Sequence, residues 1–145
     1  MRQILFAAFL TACSLAPAFA QSEEDVMARI ESLHGDSEEF GEIFGQLQDI
    51  FLFGDPSDIA ELGLYPILVN ANGESYDIFE AEDLVDNFDA LVRSETVEAL
   101  ASQDFADLIV TSEGVGFANG ALWMTLVCQN DDCADTRWGI ITINN

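Results

Sequence analysis

Residues 107–143, DLIVTSEGVGFANGALWMTLVCQNDDCADTRWGIITI, decide the fold class of this chain. Turn residues such as Gly114 and Asn119-Gly120 divide the stretch into runs rich in β-branched and aromatic residues, a pattern typical of strands. The predicted strands are 108–111, 115–117, 122–127 and 138–143. Because the run 122–127 is apolar on both faces, we expect helices to cover one face of an antiparallel sheet and curvature or a further layer to cover the other.

Two helices are predicted at the start of the domain. The clearer one follows Asp36, which is suited to cap it with Glu39 three positions on. Its apolar residues recur at helical intervals: Phe40, Ile43, Phe44, Leu47, Ile50 and Phe51. The range 23–34 predicts a shorter helix, whose apolar face is formed by Val26, Ile30 and Leu33.

A hairpin and three short helices complete the prediction. Asp55-Pro56 indicates the start of one helix, and the ranges 80–92 and 95–101, the latter capped by Ser94, have helical spacing. Asn72-Gly73 is the strongest available signal for a tight turn, and it joins β-type runs at 65–69 and 75–79. The whole pattern predicts an α+β domain, with N-terminal helices packed on a curved antiparallel sheet.

The first 20 residues have the order of a secretory signal peptide. A charged start precedes an apolar run from Ile4 to Leu10, and small residues lead to Ala20. We interpret residues 1–20 as a signal peptide cleaved after Ala20, which makes the protein periplasmic or secreted and leaves one domain over residues 21–145. The alternative is a lipoprotein, in which a lipobox-like Leu10-Thr11-Ala12-Cys13 leads to acylation of Cys13.

The chain is strongly acidic, with 27 aspartates and glutamates against four arginines and no lysine. All the acids lie in residues 21–145, where Arg29, Arg93 and Arg137 are the only arginines, so the formal charge of that part is −24. Such a field argues against nucleic acid and anionic membrane as partners, because clusters of Lys and Arg bind both. It permits a cationic partner such as a basic protein. The alternative is a surface adapted to solubility in a salty environment.

Cys128 and Cys133 flank a short acidic loop between two predicted strands. In an exported protein such a pair predicts a structural disulfide across a hairpin, and so small a loop implies modest stabilisation. A zinc site would need two more ligands, and the single histidine, His34, lies at a predicted helix end, where a capping or surface role is the simpler interpretation. The loop aspartates lack the spacing of a calcium-binding loop. We therefore expect no metal and no cofactor.

Five short motifs in residues 40–145 belong together: Tyr65-Pro66, Phe88-Asp89, Gly114-Val115, the run from Asn119 to Trp123, and the run from Ile140 to Asn144. With the order of the elements, they resemble small exported proteins of unknown function in the NTF2-like, cystatin-like superfamily. The resemblance implies a cone, in which a strongly bent antiparallel sheet wraps a long helix. In some relatives the cone holds a pocket that binds ligand or carries acid–base chemistry, but the Asp/His pair of enzymatic relatives has no match here.

Five residues are candidates for lining such a pocket. Tyr65, Tyr76, Trp123 and Trp138 combine an apolar ring with a polar tip, as residues of small-ligand sites often do, and core packing is the alternative for each of them. Asp89 is the candidate carboxylate, and acid–base work there would require burial that raises its pKa.

Three functions are compatible with the sequence. The first is a non-enzymatic module that binds a small molecule or a protein, since no catalytic constellation is visible. The second is an enzyme in which Asp89 acts as a base with a tyrosine as its partner. The third is a structural or inhibitory protein whose acidic face binds a basic partner. The sequence does not define the oligomeric state.

Overall fold

The computed structural model describes residues 21–145, and six segments of this range form one curved sheet. In chain order the strands are β1 Gly63–Ala71, β2 Glu74–Ile78, β3 Ile109–Val110, β4 Val115–Phe117, β5 Leu122–Cys128 and β6 Thr136–Asn144. They lie in the order β2-β1-β6-β5-β4-β3. The predicted signal peptide and Cys13 lie outside the described residues.

The sheet is mixed, because β6 pairs parallel with β1 while every other pair of strands is antiparallel. The expectation of a wholly antiparallel sheet is wrong at this one pair. A parallel partner far away in sequence leaves no mark on the local pattern of either strand. Register shifts in the β1–β6 and β5–β6 pairs are the kind of irregularity that bends a sheet.

Six α-helices precede β3, and the predicted α+β class is confirmed. They are α1 Glu23–Leu33, α2 Ser37–Phe53, α3 Pro56–Glu61, α4 Ala81–Asp86, α5 Phe88–Leu91 and α6 Ser94–Ala101. Short 3₁₀ turns occur at Phe105–Asp107 and Ala118–Gly120. Within residues 21–145, no helix is long and apolar enough to cross a membrane.

Reciprocal side-chain bonds begin two of the helices. At α1 the Ser22 hydroxyl accepts from the Asp25 amide at 3.2 Å, and the Asp25 carboxylate accepts from the Ser22 amide at 3.1 Å. Asp55 and Asp58 form the same box around Pro56 at α3, which confirms the predicted start of that helix.

The predicted cap of α2 is wrong. Asp36 has φ 53° and ψ 47°, and its side chain accepts no hydrogen bond from the helix. With Gly35 at φ 76°, it forms a left-handed corner that reverses the chain between α1 and α2. The Ser37 amide donates instead to the Glu31 carboxylate at 3.1 Å, so the end of one helix caps the start of the next.

Three further details of the helices differ from the prediction. The range 80–92 holds two helices instead of one, because Asn87 turns its amide group back to donate to the Asp83 carbonyl at 2.8 Å. Ser94 is the first residue of α6 and does not cap it. Leu33 is 43% exposed, so only Val26 and Ile30 of the predicted α1 face are buried.

The β1–β2 hairpin is confirmed, with its turn at Asn72-Gly73. Both turn residues have positive φ, 57° and 82°, as a two-residue turn between right-twisted strands requires. Ile67 and Val69 of β1 are buried on the helix-covered side of the sheet, in line with the alternating burial along that strand.

Candidate functional site

The two candidate tyrosines use their hydroxyl groups within the fold. Tyr65 donates to the Ala60 carbonyl at 2.8 Å, and Tyr76 donates to the Glu74 carboxylate at 2.9 Å. Burial raises the pKa of Tyr65, and the hydrogen bond to Glu74 is the main cause that raises the pKa of Tyr76. Both side chains therefore act as neutral donors in structural contacts.

The two candidate tryptophans pack against the protein. Trp138 is 1% exposed, and its ring lies 4.8 Å from that of Phe40 and 5.4 Å from that of His34. Trp123 is half-buried over Gly116, where an added Cβ would approach its ring to 3.0 Å. Trp138 therefore has the core-packing role that the sequence left open as the alternative, whereas Trp123 lies half-buried on the sheet.

Aromatic rings fill the space between α2 and the sheet, where the resemblance implies a pocket. Phe40 and Phe44 of α2 meet Phe117 of β4 with ring centroids 6.0 Å apart, and Phe105 packs on Phe44 at 4.9 Å. Edge-to-face and tilted contacts at these distances are favourable and leave little free volume. The interior of the curved sheet is therefore hydrophobic core.

Asp89 lies apart from the four aromatic candidates. It is exposed on the short helix α5 and lines two surface cavities, whereas Tyr76 lines a third. In the five main cavities of residues 21–145, no two of the five candidates occur together. The burial that acid–base chemistry at Asp89 requires is absent.

Three neighbouring cavities form an elongated groove along α4, α5 and the start of α6. The first, about 440 Å³ between α3 and α4, shares Val85 and Asp86 with the second, of about 210 Å³. The second shares Phe88 and Asp89 with the third, which has about 440 Å³ and reaches α6. We call the three cavities together the α4–α5 groove.

The groove combines an apolar stripe with a row of charges. The apolar stripe recurs every three or four positions, at Ala81, Val85, Phe88 and Val92. Each stripe residue is followed by an exposed charged residue, in the order Glu82, Asp86, Asp89 and Arg93. Exposed Glu61 of α3 and Glu98 of α6 add two more carboxylates to the lining. Acids thus dominate the rim of an apolar floor.

Hydrogen bonds from distant parts of the chain fix the elements of the groove. Asn145 accepts from the Arg93 amide at 3.1 Å and from the Thr96 hydroxyl at 2.8 Å, and its amide group donates to the Leu91 carbonyl. Asn72, in the hairpin turn, donates to the Ala90 carbonyl at 3.1 Å. The backbone of α5 and of the start of α6 is therefore tied to the hairpin turn and to Asn145.

A further cavity lies elsewhere and is mainly polar. It has about 470 Å³, at the end of α6, and is lined among others by Gln103, Asp104 and Asp107. Gln103 accepts from the Ala118 amide at 2.5 Å and donates to the Asp104 carbonyl at 2.7 Å. Both ends of this amide therefore bond within the chain, and Gln103 joins the end of α6 to the 3₁₀ turn at Ala118–Gly120.

The Cys128–Cys133 disulfide closes the loop between β5 and β6, with 4.7 Å between the two Cα atoms. Side chains of the loop bond within it: Asn130 accepts from the Asp135 amide and Asp132 from the Ala134 amide, both at 3.3 Å. Over residues 21–145, no group of three histidine, cysteine or acidic side chains is placed to hold a metal ion.

His34 ends α1 as its C-cap, one of the two roles that its position in the sequence indicates. Its side chain also reaches across the fold, with Nε2 2.7 Å from the Thr111 carbonyl oxygen, and its ring meets the edge of Trp138. The histidine therefore joins the first helix to the sheet, a role that no local signal predicts.

The α4–α5 groove was missed in the sequence although its signal is present there. The pairs Ala81-Glu82, Val85-Asp86 and Phe88-Asp89 recur at helical intervals. The apolar members read as part of a core face, and acids are too frequent in this chain for their spacing to stand out. The groove is therefore defined by its geometry alone, since no family model, no curated protein and no solved structure matches this chain.

Proposed function

We propose that this protein is an exported, non-enzymatic module of NTF2-like form whose acidic outer surface binds a basic protein. The single observation that carries the proposal is the contrast between a filled interior and a charged exterior. The aromatic cluster around Phe40 leaves the curved sheet without an enclosed site, whereas residues 21–145 expose a large excess of carboxylates over arginines.

The NTF2-like form is supported by the order of the elements. A long helix, α2, packs its phenylalanines on a sheet whose register shifts bend it around that helix. Tyr65-Pro66 stands at the start of the predicted hairpin, and Ile140 to Asn144 lie in the strand at the middle of the sheet. Export is supported by the disulfide, because such bonds persist in oxidising compartments.

Binding of a basic protein is favoured over the other two activities by what surrounds the candidate residues. An enzyme with Asp89 as its base would need this exposed carboxylate to be desolvated beside a tyrosine, and both tyrosine hydroxyls are engaged elsewhere. A small-molecule site would need an enclosed cavity with converging polar groups, and the space inside the sheet is packed with rings.

The test is a calorimetric titration of the protein with a 15-residue oligolysine. We expect saturable binding at 150 mM NaCl, with a dissociation constant in the micromolar range, that weakens about tenfold or more at 500 mM NaCl as charges are screened. An oligoglutamate of the same length is the control and should not bind. Heats that never saturate at 150 mM NaCl would contradict the proposal and favour an acidic surface that serves solubility alone.

A further inference from the structure

From the layout of the α4–α5 groove we infer that it is the docking site for the basic partner, and that the docked segment is an amphipathic helix with Lys or Arg beside its apolar face. This inference rests on the proposed function and assigns the binding of the basic protein to this groove. Its basis is the apolar floor of the groove, the sign of the charges beside that floor and the adjacency of the three cavities, which share lining residues.

The floor of the groove fits a helix. Ala81 and Val85 lie four residues apart, about one turn along α4, and Phe88 begins α5 directly after the break at Asn87. A partner helix carries its own apolar residues about one turn apart and can lay them along this floor. α4 has 6 residues and α5 has 4, so the two helices together contribute about 15 Å at helical rise, the length of about three turns of a docked helix.

The charges select a basic helix. Glu82, Asp86 and Asp89 are all exposed next to the stripe, and Glu61 faces them from α3 across the first cavity. Lys or Arg beside the apolar face of the partner would meet these carboxylates at the rim, which favours encounter and fixes the register of docking. Arg93, at the far end, is the one cation in the row and gives the groove a polarity.

The length of the groove argues for a polypeptide and against a small organic cation. A single ammonium group would neutralise one or two carboxylates and occupy only part of the groove. Three neighbouring cavities of about 440, 210 and 440 Å³, which share lining residues, instead offer room for several side chains. Covering the groove buries apolar area, the main favourable contribution to such contacts.

A second copy of this chain does not fit the same groove. Residues 21–145 have no lysine, and one of their three arginines, Arg93, already lines the groove. Arg137 donates to the Gly63 carbonyl at 2.7 Å, which leaves only Arg29 of α1 to offer a free cation. Two copies would therefore bring carboxylates together at this site, and the partner must be a different and basic protein.

The experiment compares two triple variants of equal charge. Glu82→Gln, Asp86→Asn and Asp89→Asn neutralise the row in the groove. Glu113→Gln, Asp49→Asn and Asp77→Asn neutralise three exposed acids outside it. None of the six carboxylates accepts a hydrogen bond in the described part of the chain, so both variants should fold, which thermal unfolding checks.

The probe is a 14-residue peptide of Leu and Lys, with Leu at three- and four-residue spacing, and its control is a scrambled peptide of the same composition. At 150 mM NaCl we expect the groove variant to weaken binding of the amphipathic peptide at least about tenfold and the outside variant to weaken it less than about threefold. The scrambled peptide should bind more weakly and respond to both variants alike.

The outcomes that would contradict this inference distinguish an error in the binding site from an error in the proposed function. Equal losses in the two triple variants would overturn the groove as the site while oligolysine binding still supported an acidic binding surface. Equal affinity for the ordered and the scrambled peptide would overturn the amphipathic helix as the docked segment. An absence of saturable binding of both peptides and of oligolysine would overturn this inference and the proposed function together.

Discussion

Glu39 shows how a single carboxylate can lie in an unfavourable place on this surface. It is half-buried in the first turns of α2. Partial burial raises the pKa of its carboxyl group, and the nearby carboxylates Asp36, Asp135 and Glu42 raise it further. When the carboxyl group is ionised, the native state therefore carries a charge that its surroundings disfavour.

We predict that Glu39→Gln stabilises the protein at pH 7 by about 0.5 kcal/mol. Because the pKa of Glu39 is raised on folding, the native wild type takes up a proton at higher pH than the unfolded chain does. Lowering the pH through the folded pKa therefore recovers the lost stability in the wild type, and the advantage of the variant should disappear near pH 4. Urea unfolding at both pH values measures this.

Glu38→Gln is the matched control, because Glu38 is the adjacent acid in the same turn and is exposed. It should change the free energy of unfolding by less than Glu39→Gln at pH 7. A destabilised Glu39→Gln variant, or one whose advantage persists unchanged at pH 4, would show that the Glu39 charge is not disfavoured.

Individual side chains also mark the limit of prediction from sequence. An aromatic ring with a polar tip suits both a pocket and a core. Trp138 is core, and its indole nitrogen has no hydrogen-bond partner among residues 21–145. What decided this was Phe40 and His34, which reach the ring from helices far away in sequence. Composition gives the chemistry of a side chain, whereas its neighbours depend on tertiary packing.

At the scale of elements, the sequence predicts well what depends on a few adjacent residues. Asn72-Gly73 and Asp55-Pro56 each favour one backbone geometry, and the structure has it. The prediction that Asp36 caps α2 is wrong because Asp36 and Gly35 have left-handed backbone conformations, and the Asp36 side chain accepts no hydrogen bond from the helix. The sequence does not predict the parallel pairing of β1 with β6 for another reason: the local pattern of a strand does not specify which strand it pairs with.

The β5–β6 hairpin provides a prediction at this scale. We expect Cys128→Ser with Cys133→Ser to lower the free energy of unfolding by only about 2 kcal/mol, because a short loop loses little entropy on closure. Backbone bonds from Gln129 to Asp135 at 2.7 Å and from Cys133 to Asn130 at 3.2 Å remain to hold the loop. Urea unfolding of the double variant measures the loss.

Reductant serves as the control for this variant. It should destabilise the wild type by a similar amount and leave the double variant unchanged, since the variant has no bond to reduce. A variant that fails to fold, or a loss well above about 4 kcal/mol, would mean that the hairpin depends on the disulfide far more than its loop length implies.

For the whole molecule, the charge and the core oppose each other. The core joins α1, α2 and the sheet through residues such as Val26, Phe40 and Ile140, which are fully buried. Residues 21–145 carry 27 acids and only three arginines, so the compact state gathers like charges that the unfolded chain spreads apart. Self-repulsion of this kind lowers stability, and dissolved salt relieves it.

We therefore predict that the melting temperature rises with NaCl, by about 5 °C between 0.01 M and 0.5 M, for a gain of about 1–2 kcal/mol. Most of the rise should occur below about 0.3 M, since the screening length falls from about 30 Å at 0.01 M to about 8 Å at 0.15 M. Both triple variants should show the same smaller rise, because this effect depends on net charge.

The shape of this curve separates two reasons for the acidity. If the acidic surface serves to bind a basic partner, salt stabilises the protein only by screening the repulsion between its charges. The melting temperature should then level off once the charges are screened, and peptide binding should decline over the same range of NaCl concentration. A surface adapted to a salty environment should instead keep gaining stability up to molar NaCl. A steady rise from 0.5 M to 3 M, with no saturable binding of oligolysine at 150 mM, would support adaptation and contradict the binding function.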